Sequence, residues 1–312
     1  MTRLVADIGG TNVRFGIVDK NGVEAVRAML CNDFPTLADA ARAYLDETGA
    51  KPDTGAFAIA APLDGSDHVE MPNHAWAFSI TETEQKIGLK NLRVINDFAA
   101  LAYGAPFLSE NDLRKIGSGT VRKGHPIGII GPGTGLGVGA VVFTPEGKPV
   151  PVTTEGGHVT MPATTQREYD VFEHLRNTKY SHVSAERVCS GKGMVNLYNA
   201  ICAIDGLDLP ERAPSEITAA ALEKSCPVCV EVLDLFCHFL GVVAGNLALN
   251  YGAFGGVYIG GGIVTQLGDY FAGSRFRESF EAKGRFREYL SHIPSFVITH
   301  PYPGLEGLRQ VA

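Results

Sequence analysis

Two stretches of this chain share one pattern, a strand, a glycine-rich turn and a second strand, and this pattern constrains the fold most strongly. The first occupies residues 4–19 and turns at Gly9-Gly10-Thr11-Asn12; the second occupies residues 127–143 and turns within residues 131–137. Apolar residues alternate with other residues around the first turn, which predicts half-buried strands. Glycine lets a turn backbone approach a ligand closely, although a Gly-Gly pair is equally typical of an ordinary hairpin. Two such hairpins favour an internal duplication whose turns bind a polyphosphate from both sides.

Asp7 ends the first strand just before its turn. A carboxylate beside a cluster of backbone N–H groups suits a metal-bridged phosphate. Two other nucleotide-binding motifs fit less well. A Walker loop would need a glycine where Glu186 stands before Ser190-Gly-Lys-Gly193, and the dinucleotide fingerprint would need a helix where the residues after Gly135 continue as a strand.

Chain length and charge limit the class of protein. The 312 residues suffice for two domains with separate cores, and a content of 45% hydrophobic and 20% charged residues is typical of globular proteins. The formal net charge of −7 argues against broad nucleic-acid binding, which depends on clustered Lys and Arg. We therefore expect no nucleic-acid partner, and an anionic substrate must be bound by local donors.

The six cysteines are scattered, and Cys226-Pro-Val-Cys229 is the only close pair. Because no second ligand pair lies nearby, we expect no zinc site and interpret the thiols as reduced and mostly buried. The longest apolar run, residues 228–249, carries Glu231, Asp234 and His238. These charges predict a core helix rather than a membrane span. No signal peptide is apparent before the first strand, so we expect a cytoplasmic protein without a membrane partner.

Strand and helix patterns alternate along the chain and predict an α/β fold. A polar, glycine-dotted segment at residues 109–123 indicates a crossing into a second domain. A strand at residues 295–299 is expected to return to the first domain, followed by a short glycine-punctuated tail. We therefore expect a small α/β domain of residues 1–108 plus 295–312 and a large α/β domain of residues 109–294.

Several polar residues follow predicted strands or glycines and are candidates for chemistry. Asp97 precedes an apolar helix, where it is either an N-cap or a carboxylate that the helix N-terminus keeps ionised for phosphoryl transfer. Glu155-Gly-Gly-His158 follows the second hairpin, and a lone loop His is often only structural. Glu186 alone would be typical of a surface helix. Together with Asn96, these side chains suit a polyhydroxylated ligand.

A run of three glycines, Gly260-Gly261-Gly262, follows a further predicted strand. Bare backbone of this kind admits an adenosine ring, and it is equally compatible with a simple turn.

In combination these motifs resemble a known family. Nearly the whole chain is similar to the bacterial glucokinases of the ATP-dependent hexokinase type, in order and at compatible spacing. The matching segments are Asp7-Ile-Gly-Gly-Thr-Asn12, Asn73-His-x-Trp76, Ile95-Asn-Asp97, Gly131-x-Gly-Thr-Gly-Leu-Gly137, Glu155-Gly-Gly-His158, His182-Val-Ser-Ala-Glu-Arg187 and Gly260-Gly-Gly-Ile263.

The resemblance implies a fold and an activity. The fold is the two-domain, actin-like ATPase or sugar kinase fold, an α/β architecture with a ligand cleft between the domains. The activity is ATP-dependent phosphorylation of D-glucose to glucose 6-phosphate, with Mg²⁺ on the nucleotide, in a protein that is typically a homodimer.

The resemblance also implies residue roles. Asp97 is the general base toward the sugar 6-hydroxyl. The other sugar hydroxyls are bound by Asn96, Glu155, His158 and Glu186. The residues implied to face ATP are Asp7, Gly9, Gly10, Thr11, Asn12, Gly133, Thr134 and Gly135 at the phosphates, and Gly260 and Gly261 at adenosine.

Two departures from the wider family stand out. The zinc-binding relatives carry a cysteine cluster after their Glu-Gly-Gly-His-like segment, but residues 161–180 contain no Cys here. The usual terminal helix is also expected to be curtailed. Two alternatives stay open, namely an actin-like ATP-dependent sugar-sensing or conformational protein and a kinase for another hexose.

Overall fold

The structure, a computed structural model, describes residues 2–61, 63–72 and 74–311. The chain divides into two compact units. Unit 1 comprises Met1–Ser109, Pro149–Val152 and His300–Ala312, and unit 2 comprises Glu110–Lys148 and Thr153–Thr299.

Unit 1 is built on a five-stranded sheet with the order β3-β2-β1-β4-β7. Strands β1, β4 and β7 are parallel, whereas β2 and β3 continue from β1 as an antiparallel meander. A small hairpin, β5 and β6, and four helices complete the unit. The bounds are β1 Arg3–Ile8, β2 Asn12–Val18, β3 Val23–Leu30, α1 Leu37–Thr48, β4 Thr54–Ile59, β5 His68–Glu70, β6 Ala77–Ser79, α2 Ile80–Ile87, β7 Asn91–Asn96, α3 Asp97–Gly104 and α12 Pro303–Gln310.

Helix α1 shows how local sequence sets these bounds. The Thr36 hydroxyl accepts a hydrogen bond from the N–H of Asp39, which satisfies one of the free donors at the helix start. Gly49 ends the helix in the left-handed region, at a φ of 67°, where glycine carries no Cβ penalty. Between these caps the helix buries Tyr44 against the sheet core, with Phe15 stacked on its ring. These local signals account for the bounds of α1, Leu37–Thr48.

Most of the helices and a six-stranded sheet with the order β11-β10-β9-β12-β13-β8 belong to unit 2, except that residues Pro149–Val152 of the edge strand β11 group with unit 1. The bounds are β8 Leu113–Ile116, β9 Ile127–Pro132, β10 Leu136–Phe143, β11 Pro149–Thr154, α4 Gln166–Thr178, α5 Gly191–Ile204, α6 Pro214–Leu222, α7 Pro227–Tyr251, β12 Val257–Ile259, α8 Gly262–Leu267, α9 Asp269–Gly273, α10 Phe276–Glu281, α11 Arg287–Ser291 and β13 Ser295–Ile298. Short 3₁₀ turns join several of them.

Helix α7 forms the centre of the unit 2 core. By length and composition it is apolar enough to cross a membrane, with a mean hydropathy of 1.9, but 83% of its apolar window is buried inside the protein. Its fully buried side chains include Phe236, Phe239 and Leu240. The predicted core helix is therefore confirmed.

The prediction that residues 295–299 return to the first domain is wrong. Strand β13 lies in the six-stranded sheet, where Ser295 pairs with Val257 of β12 and Ile298 pairs with Leu113 of β8. Because β13 has a neighbour on each side, its backbone donors and acceptors are used within this sheet.

The last residues form helix α12 rather than a glycine-punctuated tail. Leu305 and Leu308, three residues apart on one face, are fully buried in unit 1. Gly307 packs so closely on the Ala100 carbonyl of α3 that a Cβ would overlap it, and Gly104 likewise faces α12. The glycines in this segment therefore permit close helix packing instead of marking a turn.

Candidate active site

The predicted site residues of unit 1 lie at one edge of its sheet. Ile8 pairs with Ile59, and Ile59 pairs with Asn96, so β1, β4 and β7 end in register. Parallel strands present their carboxyl ends at the same edge. The first glycine turn and Asn96-Asp97 are therefore brought together, two strand spacings apart.

The first turn is closed by backbone hydrogen bonds. The N–H of Gly9 donates to the Asn12 carbonyl at 3.0 Å, and the N–H of Cys31 donates to the Thr11 carbonyl at 2.9 Å. Gly10 is partly exposed and the Thr11 side chain is exposed. The turn is thus fixed from its inner side and presents Gly10 and Thr11 outward.

Asn96, not Asp97, caps helix α3. The Asn96 side-chain oxygen accepts from the N–H of Phe98 at 2.9 Å and of Ala99 at 3.3 Å. Its amide nitrogen donates to the Ala61 carbonyl at 3.3 Å. The N-cap interpretation of Asp97 is therefore wrong. Because Asn96 performs the capping, the Asp97 carboxylate is the first helical side chain and is free to take another role.

Burial raises the pKa of Asp97 to about 6, and the negative charge of Asp7 adds to this effect. The N–H of Phe98, which donates to the Asp97 carboxylate at 2.9 Å, lowers the pKa but does not offset burial. The start of α3 therefore acts on the Asp97 pKa in the expected direction, but burial has the larger effect. A carboxylate with a pKa just below neutrality is still ionised at pH 7 and accepts a proton more readily than an ordinary Asp.

Asp7 is the second carboxylate of this edge. Burial raises its pKa, and the charge of Arg14, whose Nη1 lies 3.9 Å from Asp7 Oδ2, partly opposes the rise. Arg14 is a site residue that was not predicted from the sequence. A cation two residues beyond the turn, on the strand paired with Asp7, was the signal that would have identified it.

In unit 2 the second glycine turn is held by three hydrogen bonds, one within the turn and two to neighbouring segments. The N–H of Gly133 donates to the Gly135 carbonyl at 2.8 Å, and the Gly133 carbonyl accepts from the N–H of Gly191, at the start of α5, at 2.9 Å. Glu186 Oε2 accepts from the N–H of Leu136 at 3.0 Å. The Thr134 side chain is exposed at the tip.

Glu186 is therefore not a surface-helix residue. It lies half-buried in a 3₁₀ turn, Ala185–Arg187, with its carboxylate against the second glycine turn. The contact of Gly191 with Gly133 was also missed by sequence reasoning, because it depends on how two distant segments pack.

The Glu155–His158 segment packs directly on the second hairpin. Glu155 forms a bridge with Val138 of β10, and Gly157 lies so close to the Leu136 carbonyl that a Cβ would overlap it. The side chains of Glu155 and His158 stay largely exposed, with His158 Nε2 3.8 Å from Glu155 Oε2. The glycines thus allow both polar side chains to project from a tightly packed turn.

The segment that carries Glu186 pairs with the segment that follows His158. Thr160 bridges Ser184, and the N–H of Ala185 donates to the Val159 carbonyl at 2.9 Å. The structure therefore brings Glu155, His158 and Glu186 together around the second turn of unit 2.

The three-glycine run also adjoins the second hairpin. The N–H of Gly260 donates to the Ile130 carbonyl at 2.8 Å, which continues the pairing of β12 with β9. Gly261 has a φ of 89° and lies against the Pro132 carbonyl, where a Cβ would overlap. Only glycine fits there. The role of this run toward adenosine stays a prediction.

The acidic residues of the site bear on how it could bind a metal ion. Within residues 2–61, 63–72 and 74–311, no group of three or more His, Cys, Asp or Glu side chains is placed to hold a metal ion. Mg²⁺ on a nucleotide commonly uses only one or two carboxylates besides phosphate and water, and the half-buried Asp7 fits that need.

Of the Asn73-His-x-Trp76 motif, Asn73 lies outside the described residues. The Trp76 side chain donates from Nε1 to the Phe34 carbonyl at 3.1 Å.

Comparison with known proteins gives a consistent result. The family model described as Glucokinase matches residues 4–312. The chain is 48% identical over 309 residues to the glucokinase of Paramagnetospirillum magneticum, covering 98% of this chain and 95% of that relative. It is 46% identical over 310 residues to the glucokinase of Neisseria gonorrhoeae, covering 98% and 93%.

Solved structures agree with these relatives. A glucokinase from an Antarctic psychrotroph matches with a TM-score of 0.89 at 36% identity, covering 99% of this chain and 98% of that one. A ROK family glucokinase from Streptomyces griseus matches with a TM-score of 0.67 at 20% identity, covering 100% and 99%, which is a likeness of fold alone. The predicted actin-like sugar kinase fold is confirmed by these likenesses. The chain belongs to the glucokinase family.

Proposed function

We propose that this protein transfers the γ-phosphoryl group of ATP to the 6-hydroxyl of D-glucose, with Asp97 as the general base. Family membership supports the reaction. The ROK family glucokinase from Streptomyces griseus was solved in complex with glucose and AMPPNP, and the Balamuthia mandrillaris glucokinase in complex with glucose. The observation that carries the proposal is Asp97 itself, a partly buried carboxylate at the start of α3 with a pKa raised to about 6.

The proposed chemistry needs one proton transfer. The sugar 6-hydroxyl donates its proton to the Asp97 carboxylate while its oxygen attacks the γ-phosphorus. The bond from that phosphorus to the bridging oxygen breaks, and ADP leaves. Because phosphoryl transfer has a loose transition state, positioning of the hydroxyl matters more than the strength of the base.

The sugar would be oriented by groups that accept or donate hydrogen bonds to its hydroxyls. In unit 1 this is Asn96, whose side chain is fixed by the Ala61 carbonyl and by the start of α3. In unit 2 these are Glu155, His158 and Glu186, which surround the second turn. A site that pairs each sugar hydroxyl rejects analogues that leave a buried polar group unpaired.

The nucleotide would be bound by backbone N–H groups and small side chains of the two turns. These residues are Gly9, Gly10, Thr11 and Asn12 in unit 1 and Gly133, Thr134 and Gly135 in unit 2, with Gly260 and Gly261 toward adenosine. Bound Mg²⁺ would neutralise phosphate charge, and Asp7 is the carboxylate beside the first turn that would hold it or its water ligands.

We further propose that the protein is cytoplasmic and acts as a homodimer, as the resemblance implies. The division into a small and a large folding domain is part of the same proposal, and the separation of the chain into two compact units supports it.

A coupled assay of ADP release tests the proposal. We expect turnover that depends on both glucose and ATP, and loss of roughly 10² to 10⁴ in rate for Asp97→Asn because a general base is removed. Asp46→Asn is the matched control, since Asp46 is exposed on α1. Turnover of Asp97→Asn within tenfold of the parent protein would contradict the assignment of the base.

A second measurement, the formation of sugar phosphate, separates the alternatives. A panel of glucose, mannose, fructose and N-acetylglucosamine, each with ATP or ADP, then reports the preferred hexose and donor. ATP hydrolysis that is independent of every sugar would instead favour an ATP-driven conformational protein.

A further inference from the structure

We propose that Cys226 and Cys229 form a redox-active dithiol, in which Cys226 reacts with a peroxide and Cys229 then closes a disulfide. This inference lies in unit 2, concerns no residue of the proposed kinase chemistry, and is independent of the proposed function.

The position of the two cysteines on helix α7 permits a disulfide. Cys226 is the N-cap of this 25-residue helix, Pro227 is its first residue, and Cys229 follows one turn into it. The Cα atoms of residues three apart along a helix lie about 5 Å apart. That separation lies within the Cα range of disulfides, about 4.4 to 6.8 Å, so the bond needs little backbone movement.

The surroundings of Cys226 favour its thiolate. Burial opposes the charge, but the N–H and thiol of Cys229, the N–H of Val228 and the cation of Arg212 outweigh it and lower the pKa of Cys226. A helix N-terminus and a nearby cation are the usual means of activating a thiol. The pKa of Cys229 is raised, first by burial, then by its hydrogen bond with the Cys226 side chain and by the charge of Cys226. Cys226 is thus the thiol that reacts first with the oxidant, and Cys229 is the thiol that then closes the disulfide.

Solvent accessibility also favours Cys226 over Cys229 as the first thiol to react. Cys226 is 8% exposed and lies between the exposed Ser225 and Pro227, whereas Cys229 is fully buried behind it. Burial raises the pKa of the fully buried thiols Cys31 and Cys189, which disfavours their reaction. A small oxidant therefore meets Cys226 before these other thiols.

The chemistry balances with a peroxide as the oxidant. The Cys226 thiolate attacks one peroxide oxygen, an S–O bond forms, the O–O bond breaks, and the leaving oxygen takes a proton from water. The Cys229 thiol then attacks the sulfenic sulfur, the S–S bond forms, and the hydroxyl leaves with the Cys229 proton as water. The two sulfurs lose two electrons, and the peroxide is reduced.

Intact-mass spectrometry of the full-length protein tests the proposal, with hydrogen peroxide as the probe. The reduced protein is expected to lose two hydrogen atoms on treatment and to regain them with a dithiol reductant, and peptide mapping is expected to find the Cys226–Cys229 link. Cys229→Ser should stop at a sulfenic acid on Cys226, which dimedone traps. Cys226→Ser should lose the reaction, and Cys31→Ser should keep it.

Cys202 provides a sharp control because it lies near both thiols, as their mutual electrostatic effect indicates. Oxidation that requires Cys202 instead of Cys229 would overturn the proposal, as would an unchanged mass of the parent protein. Circular dichroism verifies that each serine variant is folded.

Arg212→Gln should slow the alkylation of Cys226 by iodoacetamide at neutral pH several-fold, whereas Arg212→Lys should keep the rate. Equal rates in all three proteins would show that the cation does not activate the thiol and would contradict the mechanism.

Discussion

At the scale of single residues, the contrast between Asn96 and Asp97 decides which side chain caps helix α3 and which is available as a base. The two neighbours are both typical helix caps, yet Asn96 holds the N-cap position and accepts from the N–H groups of Phe98 and Ala99, whereas Asp97 accepts from the N–H of Phe98. Asp97 is left as a partly buried carboxylate that also feels the charge of Asp7, and its pKa rises to about 6. This environment lowers the stability of the folded protein and makes the Asp97 carboxylate a better base, and such a loss of stability in favour of activity is common at functional sites.

The pH dependence of the reaction follows from that pKa. As the pH falls through about 6, Asp97 takes up a proton and can no longer accept one from the sugar, so kcat/KM for glucose should fall about tenfold for each further pH unit. Initial-rate measurements between pH 5 and pH 8 check this. A rate that stays constant down to pH 5 would contradict the role of Asp97.

Asp97→Asn should stabilise the protein while it removes activity. Since the folded-state pKa, about 6, lies above the ordinary 3.8, ionised Asp97 opposes folding. The cost is absent below pH 4, grows between pH 4 and pH 6, and reaches at most about 3 kcal/mol above pH 6. Urea unfolding should show a higher free energy of unfolding for Asp97→Asn at pH 7, with the gain shrinking toward pH 4. A less stable variant at pH 7 would contradict the argument.

At the scale of elements, close backbone packing around glycines shapes the site. Gly157 lies against the Leu136 carbonyl and holds the turn that presents Glu155 and His158. Gly157→Ala should force this turn away from β10, raise KM for glucose and cost roughly 1 to 3 kcal/mol through overpacking. Steady-state kinetics and thermal unfolding measure both effects. Gly273→Ala is the control, because a Cβ there would contact nothing within 4 Å; equal behaviour of the two variants would refute the packing argument.

Helix α12 is the second element whose packing is testable. Leu308 is fully buried in unit 1, and truncating a buried Leu costs about 2 to 5 kcal/mol. We expect Leu308→Ala to lower the free energy of unfolding by that amount in urea titrations. Arg309→Ala, at an exposed position of the same helix, should change it by less than about 1 kcal/mol. A negligible effect of Leu308→Ala would show that α12 does not stabilise unit 1.

At the scale of the whole molecule, ligand binding should be visible as stability. A ligand that binds only the folded protein raises the free energy of unfolding by about 2.7 kcal/mol at a hundredfold excess over its Kd. We therefore expect glucose to raise the Tm of the parent protein and of Asp97→Asn, since Asn96, Glu155, His158 and Glu186 would still bind the sugar. Differential scanning fluorimetry measures the shift. No shift in either protein at saturating glucose would contradict the proposed sugar site.

The sequence by itself determined the features that depend on local chemistry. Alternation with a period of two located the hairpin strands, and Thr36 and Gly49 set the ends of α1, because side-chain periodicity and capping involve only near neighbours. The glycine turns and the polar segments beside them were predicted on the same ground.

Only the tertiary structure decided which distant segments meet. Strand β13 pairs with β12 and β8, Glu186 accepts from the N–H of Leu136, and α12 packs on α3 through Gly307. Each of these contacts joins residues far apart in the chain, so no local pattern specifies it. The raised pKa of Asp97 has the same origin, since burial and the charge of Asp7 are supplied by strands that only the folded sheet brings together.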